Sequence, residues 1–352
     1  MKLNKFTSFI LMVCFFCLCL ISCGFTFFKK DNNNEFNTVK TQVSQDYSVI
    51  KDSLWCVTFQ LVWNDFMDKF NGGKPIEFVG GNPPIADELN KKIYTSDILS
   101  NESYFKVQDV ISTKLKKQIE KDIKKKFNEK SDIIDLINWK AKNSYLFYVM
   151  LKKDFNFLHP FDELAAAPFN GSEENVKYFG IDKKSENNLK KNVEVLFYNS
   201  EEDYAVKLFT KEKEEIVLYR TDKDDNFENL YAYIVDNTKK DLLKNDDTVK
   251  VPNLNVDKMI SYKELCGKKI KDSKYIIADA MQTIKFKMDN KGGSLKSEAA
   301  LIAMKMSLLP PELEKQRNFN FDKKFVLFLK EEGKDKPYFA MKVDNTEFLV
   351  KE

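Results

Sequence analysis

The chain has a single histidine, His159, among 352 residues. That scarcity excludes a multi-histidine metal site, and any Ser-His or Cys-His catalytic pair would have to use this one side chain. A basic excess is also missing. Fifty-seven Lys and Arg against 54 Asp and Glu leave a net charge of +3, which gives no electrostatic footprint for nucleic acid. Cysteine is scarce beyond the N-terminus. Cys14, Cys17, Cys19 and Cys23 fall in the first 23 residues, and only Cys56 and Cys266 remain in the body. They have no metal-ligand spacing and read more readily as buried thiols than as a disulfide. No Pro- or Gly-rich linker divides the body. Carboxylate catalysis survives these exclusions, but no motif supports a hydrolase. Asp222, Asp224 and Asp225 in TDKDDN lack the glycine and distal glutamate of a calcium loop, so they are expected in a charged hairpin turn.

What is present begins with 30 Phe and 14 Tyr, ample material for a core. At the N-terminus, Lys2 and Lys5 precede an uncharged run over residues 6–22 that ends in Leu20-Ile21-Ser22-Cys23. This resembles a bacterial lipoprotein signal, which would make Cys23 the lipidated first residue. An ordinary secretory signal or an uncleaved anchor are the alternatives, and all three place the body outside the cytoplasm. The expected organisation is a signal over 1–22, a lipidated Cys23 with an Asn-rich tether over 23–46, and one domain over 47–352.

Within the body the apolar period predicts a helix over 47–70, carrying Val49, Leu54, Val57, Leu61, Val62 and Phe66. Residues 72–89 read as a turn-rich loop. A second helix is predicted over 104–129 and a helical continuation over 131–141, with the lysine-rich run 116–130 as a solvated face. Beyond 144 the period changes to that of strands in YLFYVML, NVEVLFY, YAVKLFT, EEIVLYR, KYIIADAMQTIKFKM, FVLFL and PYFAMKV. His159, next to Pro160-Phe161, is expected to be structural. Asn170-Gly171-Ser172 fits a glycosylation acceptor.

Two blocks resemble the serpin family. YLFYVMLKKDFNFLHPFDE is similar to the segment in which a central strand leads to a Trp, here Phe157, and then Pro160-Phe161. The C-terminal third, TIKFKMDNKGGSLKSEAALIAMKMSLLPPELEKQRNFNFDKKFVLFLKEEGKDKPYFAMKVDN, resembles the serpin hinge, reactive loop and last strands in order. The likeness runs over about residues 137–345; residues 30–130 are poorly matched. It implies an α+β, serpin-like fold with helices mainly in the first half, large multi-stranded sheets in the second, and an exposed reactive loop near the C-terminus. It further implies inhibition of a serine or cysteine protease: the loop is cleaved and its end enters the main sheet as a new strand. No cofactor or metal is implied. The partners implied are the target protease and, through the lipid, a membrane. The alternative is a non-inhibitory surface protein using the same fold for adhesion or ligand binding.

An inserted strand must bury alternate side chains. With Gly292 at the hinge position, Gly293, Leu295, Ser297, Ala299, Leu301 and Ala303 point inward, and Ser294, Lys296, Glu298, Ala300 and Ile302 outward. A slip by one residue would turn both charges inward. The register leads to Met306-Ser307 as the bond attacked, and the unbranched apolar Met306 points to an elastase-, chymotrypsin- or subtilisin-like target. Three departures from the family stand out: Asn290 in place of a glutamate, the bulky Leu295, and charged Lys296 and Glu298 in a stretch usually rich in alanine.

Overall fold

The structure is a computed structural model that describes residues 40–41, 52–299 and 317–352. In chain order the strands are β1 (Lys40–Thr41), β2 (Ser53–Cys56), β3 (Tyr104–Val110), β4 (Tyr145–Asn156), β5 (Asp162–Pro168), β6 (Asn175–Ile181), β7 (Val193–Ser200), β8 (Asp203–Phe209) and β9 (Glu214–Arg220). They continue as β10 (Asp241–Leu242), β11 (Thr248–Pro252), β12 (Leu254–Ser261), β13 (Met281–Asp289), β14 (Gly292–Ala299), β15 (Asn318–Asn320), β16 (Phe325–Glu331) and β17 (Phe339–Val343). Among the described residues four α-helices accompany them: α1 (Thr58–Asn71), α2 (Pro84–Asn90), α3 (Thr113–Phe127) and α4 (Phe227–Asn237).

The strands form three sheets. An eight-stranded sheet runs β1-β2-β17-β16-β9-β8-β7-β10, a four-stranded sheet runs β15-β11-β6-β5, and a five-stranded sheet runs β12-β13-β14-β4-β3. The main apolar core extends from Leu54 to Leu349 and joins α1 to the inner strands of all three sheets. A second, smaller core lies between α3 and the other face of the five-stranded sheet, where Leu115, Ile119 and Ile123 meet Tyr148 and Met150.

The strands expected after residue 144 are present, except that KYIIADAMQTIKFKM is a strand only from Met281; residues 274–280 hold no more than an isolated bridge at Ile276. The helical readings before it need three corrections. Residues 53–56 form β2, buried at all four positions and paired with β17; an inner strand with both faces covered has no alternation to separate it from a helix. The reading 104–129 divides in two. Residues 104–110 are β3, paired with β4, and the helix begins only after Ser112, whose side chain accepts the Leu115 N–H at 3.1 Å. That serine is an N-cap signal ahead of the 115/119/123 apolar period. Residues 131–141 hold only a 3₁₀ turn at Ile134–Leu136, and the Trp139 indole closes it by donating to the Ile134 carbonyl at 2.7 Å. Two helices also appear where none was expected. α2 starts on Pro84, a residue suited to a first turn, and α4 is capped by Asn226 accepting from the Asn229 N–H at 2.7 Å.

Candidate functional site

β14 is the middle strand of the five-stranded sheet and is antiparallel to both neighbours. Gly292 lies opposite Asn156 of β4 and Asp289 of β13, Leu295 opposite Lys153 and Phe286, and Ala299 opposite Val149 and Gln282. The turn Asn290–Lys291 that starts it is clamped to the end of β4. The Phe161 N–H donates to the Asn290 carbonyl at 2.8 Å, the Asn290 amide donates back to the Phe161 carbonyl at 3.2 Å, and the Phe157 N–H donates to the Lys291 carbonyl at 2.9 Å. Two glycines make the close approach that follows. Gly292 has φ +153°, and a Cβ there would sit 2.1 Å from the Phe155 carbonyl oxygen; a Cβ on Gly293 would meet the Phe155 ring at 2.8 Å.

Leu295 and Ser297 face the main core and have no solvent exposure. Ser297 donates to the Thr283 carbonyl at 3.0 Å, so the contact at 2.9 Å from Thr58 at the start of α1 must run from the Thr58 hydroxyl to Ser297 Oγ. Gln282 continues the chain by donating to Thr58 at 2.9 Å, and the Tyr262 hydroxyl donates to Gln282 at 2.7 Å. A buried polar set at this position is tolerable because its members partner one another.

Beside Leu295, Lys153 points into the same layer. Its ammonium lies 2.5 Å from Glu214 Oε1 on β9 and 2.6 Å from Glu331 Oε1 on β16. Tyr338 donates to Glu214 at 2.8 Å, and Ser103 donates to Glu331 at 2.7 Å. Burial pushes the Glu214 carboxyl up, against the pull of Lys153. Glu331 is also desolvated, but Lys153, the Ser100 N–H and Ser103 hold its carboxyl below the usual range. One ammonium thus ties the strand next to β14 to two strands of the eight-stranded sheet.

The outer face differs from expectation. Alternation placed Glu298 in water, yet it has no exposure. The strap of residues 130–139 that follows α3 covers it. Ser131 Oγ donates to Glu298 Oε2 at 2.7 Å, the Asp132 N–H donates to Oε1 at 2.9 Å, and the Tyr148 hydroxyl donates to Oε2 at 2.8 Å. Lys296 is partly buried at the strap's rim, where it donates to the Lys130 carbonyl at 2.7 Å and pairs with Asp132 at 2.8 Å. Alternation states which face a side chain takes and not what covers that face, which is why the expectation failed.

Past Ala299 the slot opens. Among the described residues nothing pairs with Tyr145–Tyr148 on the β13 side, and a cavity of about 410 Å³ lies there, lined by Phe66, Phe70, Tyr145, Phe147, Tyr275 and Ile133 among others. Ala299 ends the described strand. Met306, Ser307, Leu301, Ala303 and Cys23 lie outside the described residues.

The remaining candidates lie elsewhere in the fold. The main chain of His159 is held on both sides by Asn192, at 3.0 and 2.6 Å. Asp222 pairs with Arg220, and Asp224 pairs with Lys324 and Lys342. Among the described residues no group of acidic, cysteine or histidine side chains could hold a metal ion. Cys56 and Cys266 are free, and burial pushes the Cys266 thiol up to about 11, leaving little thiolate at neutral pH.

No family model and no curated protein matches the sequence. Among solved structures, cleaved Serpin 42Da matches with a TM-score of 0.50 at 8% identity, over 84% of this chain and 92% of that one. The fold is serpin-like. The thermophilic serpin Tengpin in its latent state covers the same shares at TM-score 0.48 and 11% identity, and Serpin48 of the insect Tenebrio molitor does so at 0.44 and 12%. In this serpin-like chain, sequence reasoning missed the polar groups around β14: Ser131 and Tyr148 on Glu298, and Lys153 opposite Leu295 with its carboxylates Glu214 and Glu331. They are polar residues scattered over 200 positions, and only the pairing of distant strands brings them together.

Proposed function

We propose that the protein is an exported, serpin-type inhibitor of a serine or cysteine protease. The observation that carries this reading is the place of Gly292–Ala299. The stretch is the middle strand of one sheet, while residues 300–316 join it in sequence to β15 at the edge of another. A segment so connected offers a protease the chain between two sheets and offers the cut end a slot to occupy. The protease nucleophile would attack the Met306 carbonyl carbon and become acylated by it as the Met306–Ser307 amide bond breaks and the Ser307 nitrogen takes up the nucleophile's proton and leaves as an amine; the severed strand would then extend into the cavity beyond Ala299 with the acyl-enzyme attached. Ordering that strand costs about 1–2 kcal/mol per residue, and it is offset only if the inward side chains pack. Small Gly293 and apolar Leu295 meet that condition where the strand is already seated. A lipidated Cys23 and the Asn-rich tether would keep the inhibitor at a membrane surface.

A second reading has its own support. Lys296 and Glu298 bond the seated strand to the strap in the uncut chain, and a strand already held leaves less insertion to drive trapping. This favours a non-inhibitory surface protein.

Incubation of the full chain with elastase-, chymotrypsin- and subtilisin-like proteases separates the two. Inhibition yields an adduct at the summed mass that survives denaturing electrophoresis. Clean cleavage near Met306 without an adduct rejects inhibition and leaves the second reading.

A further inference from the structure

Glu298 is the one carboxylate of β14, and it is enclosed from every side. On its own strand it faces Lys296, whose ammonium is 3.5 Å away. From β4 it faces the Tyr148 hydroxyl, and on β13 the charged neighbour is Lys285, which pairs with Asp132 at 3.0 Å. From the strap it faces Lys130, Ser131 and Asp132. The strap is organised around the same atoms. Ser131 Oγ accepts the Ile133 and Ile134 N–H groups at 3.2 and 3.0 Å, which shapes the 3₁₀ turn, while its proton goes to Glu298. The turn in turn sets Ile133, Ile134 and Ile137 into the outer core against Tyr148 and Met150.

We propose that Glu298 is a positioning residue that fastens the strap to the entering strand, so that seating of β14 and closure of residues 130–137 are one coupled event. Without the strap, Glu298 on a seated strand would lie on an open sheet surface with two of its three hydrogen-bond donors gone. Without Glu298, the Asp132 N–H and the Ser131 proton would lose their carboxylate acceptor, and leaving such groups unpaired in a buried place is costly. Each partner therefore supplies what the other lacks. The charged residues that set this loop apart from an alanine-rich one act as the catch that holds it, and the outer surface of the strap becomes a readout of whether the strand is in or out. The inference rests on the reading of Gly292–Ala299 as a strand that enters the sheet and does not require that a protease be trapped.

Hydrogen exchange on the uncut full chain tests it, with amides of 130–137 and 292–299 followed together and those of β16 and β17 as a reference for global folding. In the unsubstituted protein both segments should exchange slowly. Glu298→Ala should speed both by at least about tenfold while the reference stays unchanged. Glu298→Gln, which keeps the shape and one acceptor, should stay within about threefold of the parent. Ser131→Ala, made from the strap side, should speed the same pair and serves if the Glu298→Ala protein does not fold. Acceleration of one segment without the other, or equal acceleration in the Gln and Ala variants, overturns the fastener while leaving insertion in place. Fast exchange of 292–299 in the parent overturns both. A missing protease adduct alongside paired acceleration rejects inhibition only and supports the fastener.

Discussion

Lys153 carries the buried ion pairs of β4. It neutralises two buried carboxylates, from β9 and β16, that have no second ammonium within reach in the described structure. Replacing it by Met keeps the stem beside Leu295 but strands both charges. Lys153→Met should destabilise the fold by about 3–5 kcal/mol, read as a lowered urea midpoint; a loss below about 1 kcal/mol would mean that the carboxylates find water instead. Glu298 poses the opposite problem, a carboxyl raised by burial despite its three donors. A carboxyl raised on folding contributes most where it is protonated, below the ordinary glutamate value of about 4.3, and that contribution is lost as pH rises through its raised folded value. Glu298→Gln has no such titration. The urea midpoint of the Gln variant minus that of the parent should therefore grow from pH 4.5 to pH 8, with the shift of Glu214 cancelling in the difference. Parallel profiles would show that the bonds from Ser131, Asp132 and Tyr148 fully repay the charge.

At the scale of the element, β14 shows how far a sequence can be read. Its register follows from one rule, that no unpartnered charge turns inward, and the structure has Leu295 and Ser297 on the core side and Lys296 and Glu298 on the other. Two substitutions compare the faces. Ser297→Arg places a guanidinium among Thr58, Gln282 and the Thr283 carbonyl, where no carboxylate answers it, and should unseat the strand: exchange of the 292–299 amides rises to that of an open loop. Lys296→Ala loses one bond to the Lys130 carbonyl and its ion pairs with Asp132 and, at 3.5 Å, Glu298, and should cost about 1 kcal/mol with the strand still protected. Similar exchange in both variants would mean that the faces are wrongly assigned. The strands β4 and β16 were legible because their apolar runs are long and bounded by charged turns. β2 was not, since four consecutive buried residues carry no period, and the break between β3 and α3 was hidden because Val107, Val110 and Ile111 fall by chance on the helical spacing of Leu115 and Ile119. The strap was illegible for a different reason. Its hydrogen bonds go to a residue more than 160 positions later, and no local pattern encodes that.

For the molecule as a whole, the question is how much insertion remains once eight residues are seated. Continuing the register past Ala299 would set Ala300 to Ala303 opposite Tyr148 to Tyr145, with Leu301 beside Phe147 on the inner face and Ile302 beside Leu146 on the outer one. Burying two such side chains contributes about 1.5–3 kcal/mol each, and four ladder hydrogen bonds about 1 kcal/mol each. Ordering four residues costs about 1–2 kcal/mol apiece. The balance is favourable by a few kcal/mol once the chain is cut and its far end no longer tied to β15. Since each kcal/mol moves the midpoint of a large domain by about 2–4 °C, cleavage near Met306 should raise the thermal midpoint by several degrees. Leu301→Asp should abolish the rise, because aspartate in that register would be buried between Phe147 and Phe66. An unchanged midpoint on cutting the parent, or a rise that survives Leu301→Asp, would mean that the cavity beyond Ala299 does not receive the severed strand.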